Sequence, residues 1–193
     1  MIIENIFCNF LAYEDLFLDN KSIIKFCYEK KAEDEKGRTL TNKGGWQSND
    51  LFLPVPELSQ LTDTVTYLMR DFAKKINLRD THRLCLDNFW ININKKSNMN
   101  IPHSHPASVL SAAYYVKVPP KSGNIIFLTP FSIYDRCLED YMIDSYTEYN
   151  SSTYTFIPQE GKLLLFPSWL EHKVEPNETD MDRISIAFNS GYY

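Results

Sequence analysis

The stretch Phe89-Trp90-Ile91-Asn92-Ile93-Asn94 decides the fold class. Phe89, Ile91 and Ile93 fall on one side of a period-two pattern, and Trp90, Asn92 and Asn94 fall on the other. Successive strand residues point to opposite faces, so the segment reads as a strand with one core face and one polar face. The same period continues through residues 109–118, 124–129, 154–157, 161–166 and 183–188. Leu163-Leu164-Leu165-Phe166 is apolar on both sides, as in a strand buried on both faces. Six or seven strands at this spacing predict a mainly β sandwich or barrel flanked by α-helices.

Upstream the period is helical. Leu58, Leu61, Val65, Leu68, Met69, Phe72 and Ile76 recur at three- and four-residue steps after Pro56, a stripe that predicts a helix packed on the sheet. Asn20 is placed to cap a short helix through Ile23, Ile24, Phe26, Cys27 and Tyr28, and residues 29–36 read as its solvated end or a loop. Residues 37–48 read as loop plus a short strand. No repeat or linker divides the chain, so residues 1–193 are expected to form one domain. Its helical part would cover about 1–80 and its β core about 86–193.

Composition narrows the function. With 44% apolar and 23% charged residues the chain is an ordinary globular protein, and its aromatic content suits a sheet core. The net charge of −5 argues against a general nucleic-acid binder, because phosphate binding needs a basic face. No apolar run reaches membrane-span length, and the first residues have no signal-peptide layout. Cys8, Cys27, Cys85 and Cys137 have neither zinc nor evident disulfide spacing, so reduced thiols and a cytoplasmic location are expected.

The chemistry gathers at His103-Ser104-His105, His172 and Arg183-Ile184-Ser185. In a strand, residues i and i+2 face the same way about 6.6 Å apart, so His103 and His105 can aim at one metal. His172, in the context Gly161-x5-Pro167-x4-His172, is the candidate third ligand. Three ligands on one face leave positions open for oxygen and a co-substrate, which suits non-haem iron. Asp87 and Glu171 do not alternate correctly with the histidines, so the expected centre has three histidines and no carboxylate. His82 has no partner at metal spacing. The competing reading makes these surface histidines beside a loop rich in Ser, Pro and Asn.

Arg183, Ser185 and Ala187 share one strand face opposite Ile184, Ile186 and Phe188. An arginine beside two small residues leaves room for a ligand, and its planar fork suits a carboxylate. The alternative is an exposed strand face, or an arginine paired with a nearby acid.

These segments resemble the 2-oxoglutarate/Fe(II)-dependent oxygenase family. The similarity lies in His103-Ser-His105-Pro106, Leu110-Ser-Ala-Ala-Tyr-Tyr-Val116, the run from Gly161 to His172 and Arg183-Ile-Ser-Ile-Ala-Phe-Asn189. Gly44-Gly45-Trp46-Gln47-Ser48 resembles the family's N-terminal signature. The resemblance implies a double-stranded β-helix, or jelly-roll, holding Fe(II) as cofactor and 2-oxoglutarate as co-substrate. It implies that His103 and His172 are the outer metal ligands and that His105 stands where the wider superfamily has Asp or Glu. Arg183 and Ser185 match the pair that grips the distal carboxylate of 2-oxoglutarate, with Asn92 and Tyr115 as further co-substrate contacts. The implied activity is a dioxygenase that uses O2, hydroxylates an unidentified substrate and releases succinate and CO2. Two rivals are a cupin-like metal enzyme that uses no keto acid, which Trp169 and the missing glutamate disfavour, and a non-catalytic jelly-roll binding module. Tyr134, Tyr141, Tyr146 and Tyr149 fall in a long polar segment read as a loop at the barrel mouth.

Overall fold

A computed structural model describes residues 2, 8–130 and 139–193. Two helices form as the apolar periodicity requires. Asp19 caps α1 (Asn20–Glu33) by accepting the N–H groups of Lys21 and Ser22, and Lys30 and Lys31 sit in the last turn where the helix dipole favours cations. The cap is thus one residue earlier than Asn20. In α2 (Ser59–Lys75) the stripe Leu61, Val65, Met69 and Phe72 is buried.

Eleven strands form among the described residues, in two antiparallel sheets. They are β1 (Ala12–Asp15), β2 (Asn42–Lys43), β3 (Trp46–Gln47), β4 (Leu84–Asn94), β5 (Met99–His103) and β6 (Leu110–Lys117). After these come β7 (Ile125–Leu128), β8 (Thr153–Phe156), β9 (Lys162–Pro167), β10 (His172–Val174) and β11 (Arg183–Tyr192). The larger sheet has the order β1-β9-β6-β11-β4-β3, and the smaller has β2-β5-β10-β7-β8. The expectation of six or seven strands, and of a helical part up to about residue 80, is therefore too simple. β1, β2 and β3 lie inside that part and extend both sheets; residues 37–48, read as loop plus one short strand, hold both β2 and β3, and β1 is too short to show a period.

Alternation along the larger sheet sorts its side chains into two cores. Phe89, Ile91, Ile93, Ala112, Tyr114, Val116, Leu163, Leu165, Ile184, Ile186 and Phe188 pack against Ile23, Phe26, Leu61, Val65 and Met69 of the helices. From the other face Tyr115, Leu164 and Phe166 meet Ile125, Phe127 and Phe156 of the smaller sheet. The helix-facing side is closed by a continuous apolar layer, while the side between the sheets keeps polar residues. That polar side is where the double-stranded β-helix has its mouth.

Candidate metal and co-substrate site

The polar face of the larger sheet is arranged in rows set by strand register. Gln47 lies opposite Asn92, Asn92 opposite Ser185, and Ser185 opposite Tyr115, so one row crosses four strands. The next row toward one end pairs Asn94 with Arg183, and rows toward the other pair Trp90 with Ala187 and Asn88 with Asn189. Ala113 and Ala187 are small and leave space above the sheet. These residues line a cavity of about 400 Å³ together with His103, His105 and His172. At its rim Arg38 and Asp50 neutralise one another through a 2.6 Å ion pair.

The smaller sheet supplies the histidines. His103 ends β5, His172 begins β10, and the two are direct partners across the ladder. His105 is past the end of β5, so the expected single strand carrying both residues of H-x-H stops at the first. The loop position is held instead by the His105 N–H, which donates to the Ser168 carbonyl at 2.8 Å. One potential ligand atom from each of the three histidines lies within 4.8 Å of the others. Phe166 meets the His172 ring edge-on, and Trp90 lies 5.4 Å from His105 between centroids.

Hydrogen bonds define which nitrogen each ring offers. His103 Nδ1–H donates to Ile101 O at 2.8 Å, and His172 Nδ1–H donates to Leu170 O at 2.9 Å. A carbonyl only accepts, so both rings carry the proton on Nδ1 and a lone pair on Nε2. His105 Nδ1 likewise meets Asn189 Oδ1 at 2.7 Å, and its Nε2 is buried with no hydrogen-bond partner. Burial pushes His172 down to about 3, helped by the neighbouring His103; burial also lowers His103 and His105. Three neutral imidazoles, His172 buried and the other two half-buried, with one orphaned nitrogen are a fitting donor set for a borderline metal such as Fe(II). Among the described residues no carboxylate joins this cluster. Glu171 is exposed, and Asp87 accepts instead from the Tyr193 hydroxyl. His82 is exposed in a short turn and is not part of this cluster.

Arg183 is 3% exposed, and among the described residues it forms no ion pair. Its Nη1 donates to the main-chain carbonyls of Ser122 at 2.6 Å and Gly123 at 3.3 Å. Gly123 holds φ at +89°, and a Cβ there would come within 2.4 Å of Glu175 O, so only glycine lets this loop close on the guanidinium. Burial lowers the arginine's affinity for its proton, while the Tyr115 phenol acts in the opposite direction. Tyr115 is itself raised by burial. A buried cation with no acid, facing a cavity, is built for an anionic ligand.

The profile described as "Putative 2OG-Fe(II) oxygenase" matches residues 88–189, more than half of the chain. The chain belongs to the 2-oxoglutarate/Fe(II) oxygenase family. It is an oxidoreductase whose family uses Fe(II) as cofactor and 2-oxoglutarate and O2 as co-substrates, and the cupin-like and non-catalytic readings fall away. No curated protein matches it in sequence. Solved structures share the fold at low identity. A Pseudomonas putida prolyl-4-hydroxylase is 14% identical with a TM-score of 0.65, over 96% of this chain and 94% of its own. HygX from Streptomyces hygroscopicus, solved with nickel and 2-oxoglutarate bound, is 15% identical with a TM-score of 0.61 over 95% and 83%. The viral collagen prolyl hydroxylase vCPH from Paramecium Bursaria Chlorella virus-1, a 2-oxoglutarate complex, is 13% identical with a TM-score of 0.57 over 93% and 94%.

The sequence reading of this oxygenase assigned no role to Ser111, Ser168 or Trp90. Their partners lie far along the chain, and spacing carries no signal for such contacts. Of the tyrosine-rich segment, Tyr141, Tyr146 and Tyr149 are exposed, whereas Tyr134 lies outside the described residues, as does Cys137.

Proposed function

We propose that His103, His105 and His172 hold the catalytic Fe(II), and that Arg183 and Ser185 bind the distal carboxylate of 2-oxoglutarate, with Asn92 and Tyr115 lining the same seat. The observation that carries this reading is the buried, acid-free Arg183 in one cavity with three histidines whose Nδ1 atoms are all engaged. Bound iron and 2-oxoglutarate together supply oxygen activation: one O2 is consumed, the keto acid becomes succinate and CO2, and a substrate C–H becomes C–OH.

The chain's own residues do the rest. The carbonyls of Ser122 and Gly123 orient the guanidinium, leaving its other N–H groups for a carboxylate fork. The Ser185 hydroxyl, next on that face, adds a donor, and the Tyr115 phenol stays protonated and can donate as well. Phe127, Phe166 and Ile125 keep water away from one wall. The primary substrate enters past Trp90 and the Arg38–Asp50 rim.

The test measures 2-oxoglutarate binding and substrate-free succinate formation with Fe(II) for the wild type and Arg183→Ala. Binding and slow turnover in the wild type, both lost in the variant, are expected; a wild type that neither binds nor turns over the keto acid sinks the reading. We further propose that residues 1–193 act as one oxygenase domain in a cytoplasmic setting, which the free thiols of Cys8, Cys27 and Cys85 support. Among the described residues no helix is long and apolar enough to cross a membrane. The acidic balance of −5 speaks for a substrate other than nucleic acid.

A further inference from the structure

We infer that Asn189 is a positioning residue that sets the tautomer and aim of His105, and that Ser111 and Ser168 hold Asn189 in the orientation this requires. The inference rests on the reading of His105 as a metal ligand.

The three histidines are not supported alike. For His103 and His172 the acceptor of Nδ1–H is a main-chain carbonyl two residues earlier, which no substitution can remove. For His105, in a loop, the acceptor is a side chain 84 residues away. Asn189 Oδ1 lies 2.7 Å from His105 Nδ1 and also receives the Ser111 hydroxyl at 2.9 Å. Ser111 Oγ lies 2.8 Å from Ser168 Oγ and 3.2 Å from His105 Nδ1.

With Asn189 Oδ1 facing the ring, donor counting gives this cluster one consistent arrangement. The Ser168 hydroxyl donates to Ser111, and Ser111 donates to Asn189 Oδ1. An amide oxygen has two lone pairs, so the second accepts His105 Nδ1–H. Turned the other way, the amide NH2 would donate to Nδ1 and force the ring proton onto Nε2, a buried nitrogen with no acceptor. The serines therefore hold the amide in place, its Oδ1 keeps the proton on Nδ1, and the Nε2 lone pair is left without a hydrogen-bond partner. Ser111 and Ser168 are fully buried and Asn189 is 8% exposed, so water does not compete strongly for these bonds. Ser168 acts twice, because its carbonyl also receives the His105 N–H at 2.8 Å and anchors the loop. Asn189 and Ser111 are direct partners across β11 and β6, which places the amide rigidly.

The test titrates wild type, His105→Ala, Asn189→Ala, Asn189→Asp and Ser111→Ala anaerobically with Co(II). In parallel, ¹⁵N NMR of the metal-free proteins reports which ring nitrogen of His105 carries the proton. Asn189→Ala should lose about 10- to 100-fold in Co(II) affinity, the range for removal of a group that orients a ligand. It should also lose the Nδ1–H signature. Asn189→Asp keeps an acceptor and should retain both. Ser111→Ala, nearly isosteric, should fall between, and it stands in if Asn189→Ala fails to fold. Wild-type affinity in His105→Ala overturns the ligand reading of His105 and this inference with it. Weak binding by His105→Ala beside wild-type affinity and an intact Nδ1–H signature in Asn189→Ala overturns the role of Asn189 alone. So does loss of that signature in Asn189→Asp.

Discussion

His103 and His172 face each other as direct partners across β5 and β10, with ring centroids 4.3 Å apart. A main-chain ladder therefore sets their separation, and main-chain carbonyls set their tautomers. His103→Ala is expected to weaken Fe(II) binding by more than the roughly 100-fold upper range for losing an orienting partner. Anaerobic metal titration checks this, with circular dichroism showing that the sheet remains. Metal affinity within threefold of wild type would remove His103 from the centre.

Arg183 predicts a split between two kinds of change. If Arg183 pairs with the co-substrate as proposed, Arg183→Ala removes one partner of a buried charge pair, a loss of about 2–5 kcal/mol in binding. Arg183→Lys keeps the charge without the fork and should recover only part of it. Thermal shift with a divalent metal and 2-oxoglutarate gives the readout: at a ligand concentration near 100 times Kd the wild type gains about 2.7 kcal/mol. The alanine variant should show almost no rise on adding 2-oxoglutarate while its metal response persists.

Phe188 lies on the helix-facing side of the strand that carries Arg183, is fully buried and stacks on Phe89 at 5.5 Å. Phe188→Ala should destabilise the fold by about 3–5 kcal/mol through the cavity it leaves. Urea denaturation should show a lower midpoint with an unchanged slope. An effect below about 1 kcal/mol would mean that the two layers repack easily.

Cys27 is fully buried in α1, and burial pushes its thiol up from the ordinary 9.0 to about 12. A raised folded-state value means the unfolded chain ionises first as pH rises. The stabilisation is complete below about 9 and is lost progressively toward about 12. Cys27→Ala should flatten that part of the stability curve in denaturation measured from pH 8 to 11. In the native wild type an alkylating reagent should modify the exposed Cys8 and spare Cys27. Equal labelling of both would contradict the packing of α1.

Legibility in the sequence followed the range of the interaction. β4, β11 and α2 could be read because burial on one face imposes a period of two or about 3.6 on consecutive residues. The polar face of β11 showed Arg183 and Ser185 for the same reason. β1 could not be read, since its burial comes from a strand far along the chain that no local pattern records. H-x-H announced a shared target, yet local geometry alone placed His105 on the strand; the Ser168 contact that holds it in a loop is 63 residues distant by number. The Ser168–Ser111–Asn189 chain is illegible in the same way, because each bond joins separate strands or loops.

The neutral histidine trio has a consequence for what leaves the pocket. With no acid among its proposed ligands and, among the described residues, none paired to Arg183, the cavity would present a full dication at one end and a guanidinium at the other. Such a site behaves as tweezers for short dianions, whichever side of the reaction they come from. Succinate should accordingly linger as a competitive inhibitor against 2-oxoglutarate, and slow product departure, rather than bond cleavage, is then the step that small dicarboxylic acids would let an experimenter tune.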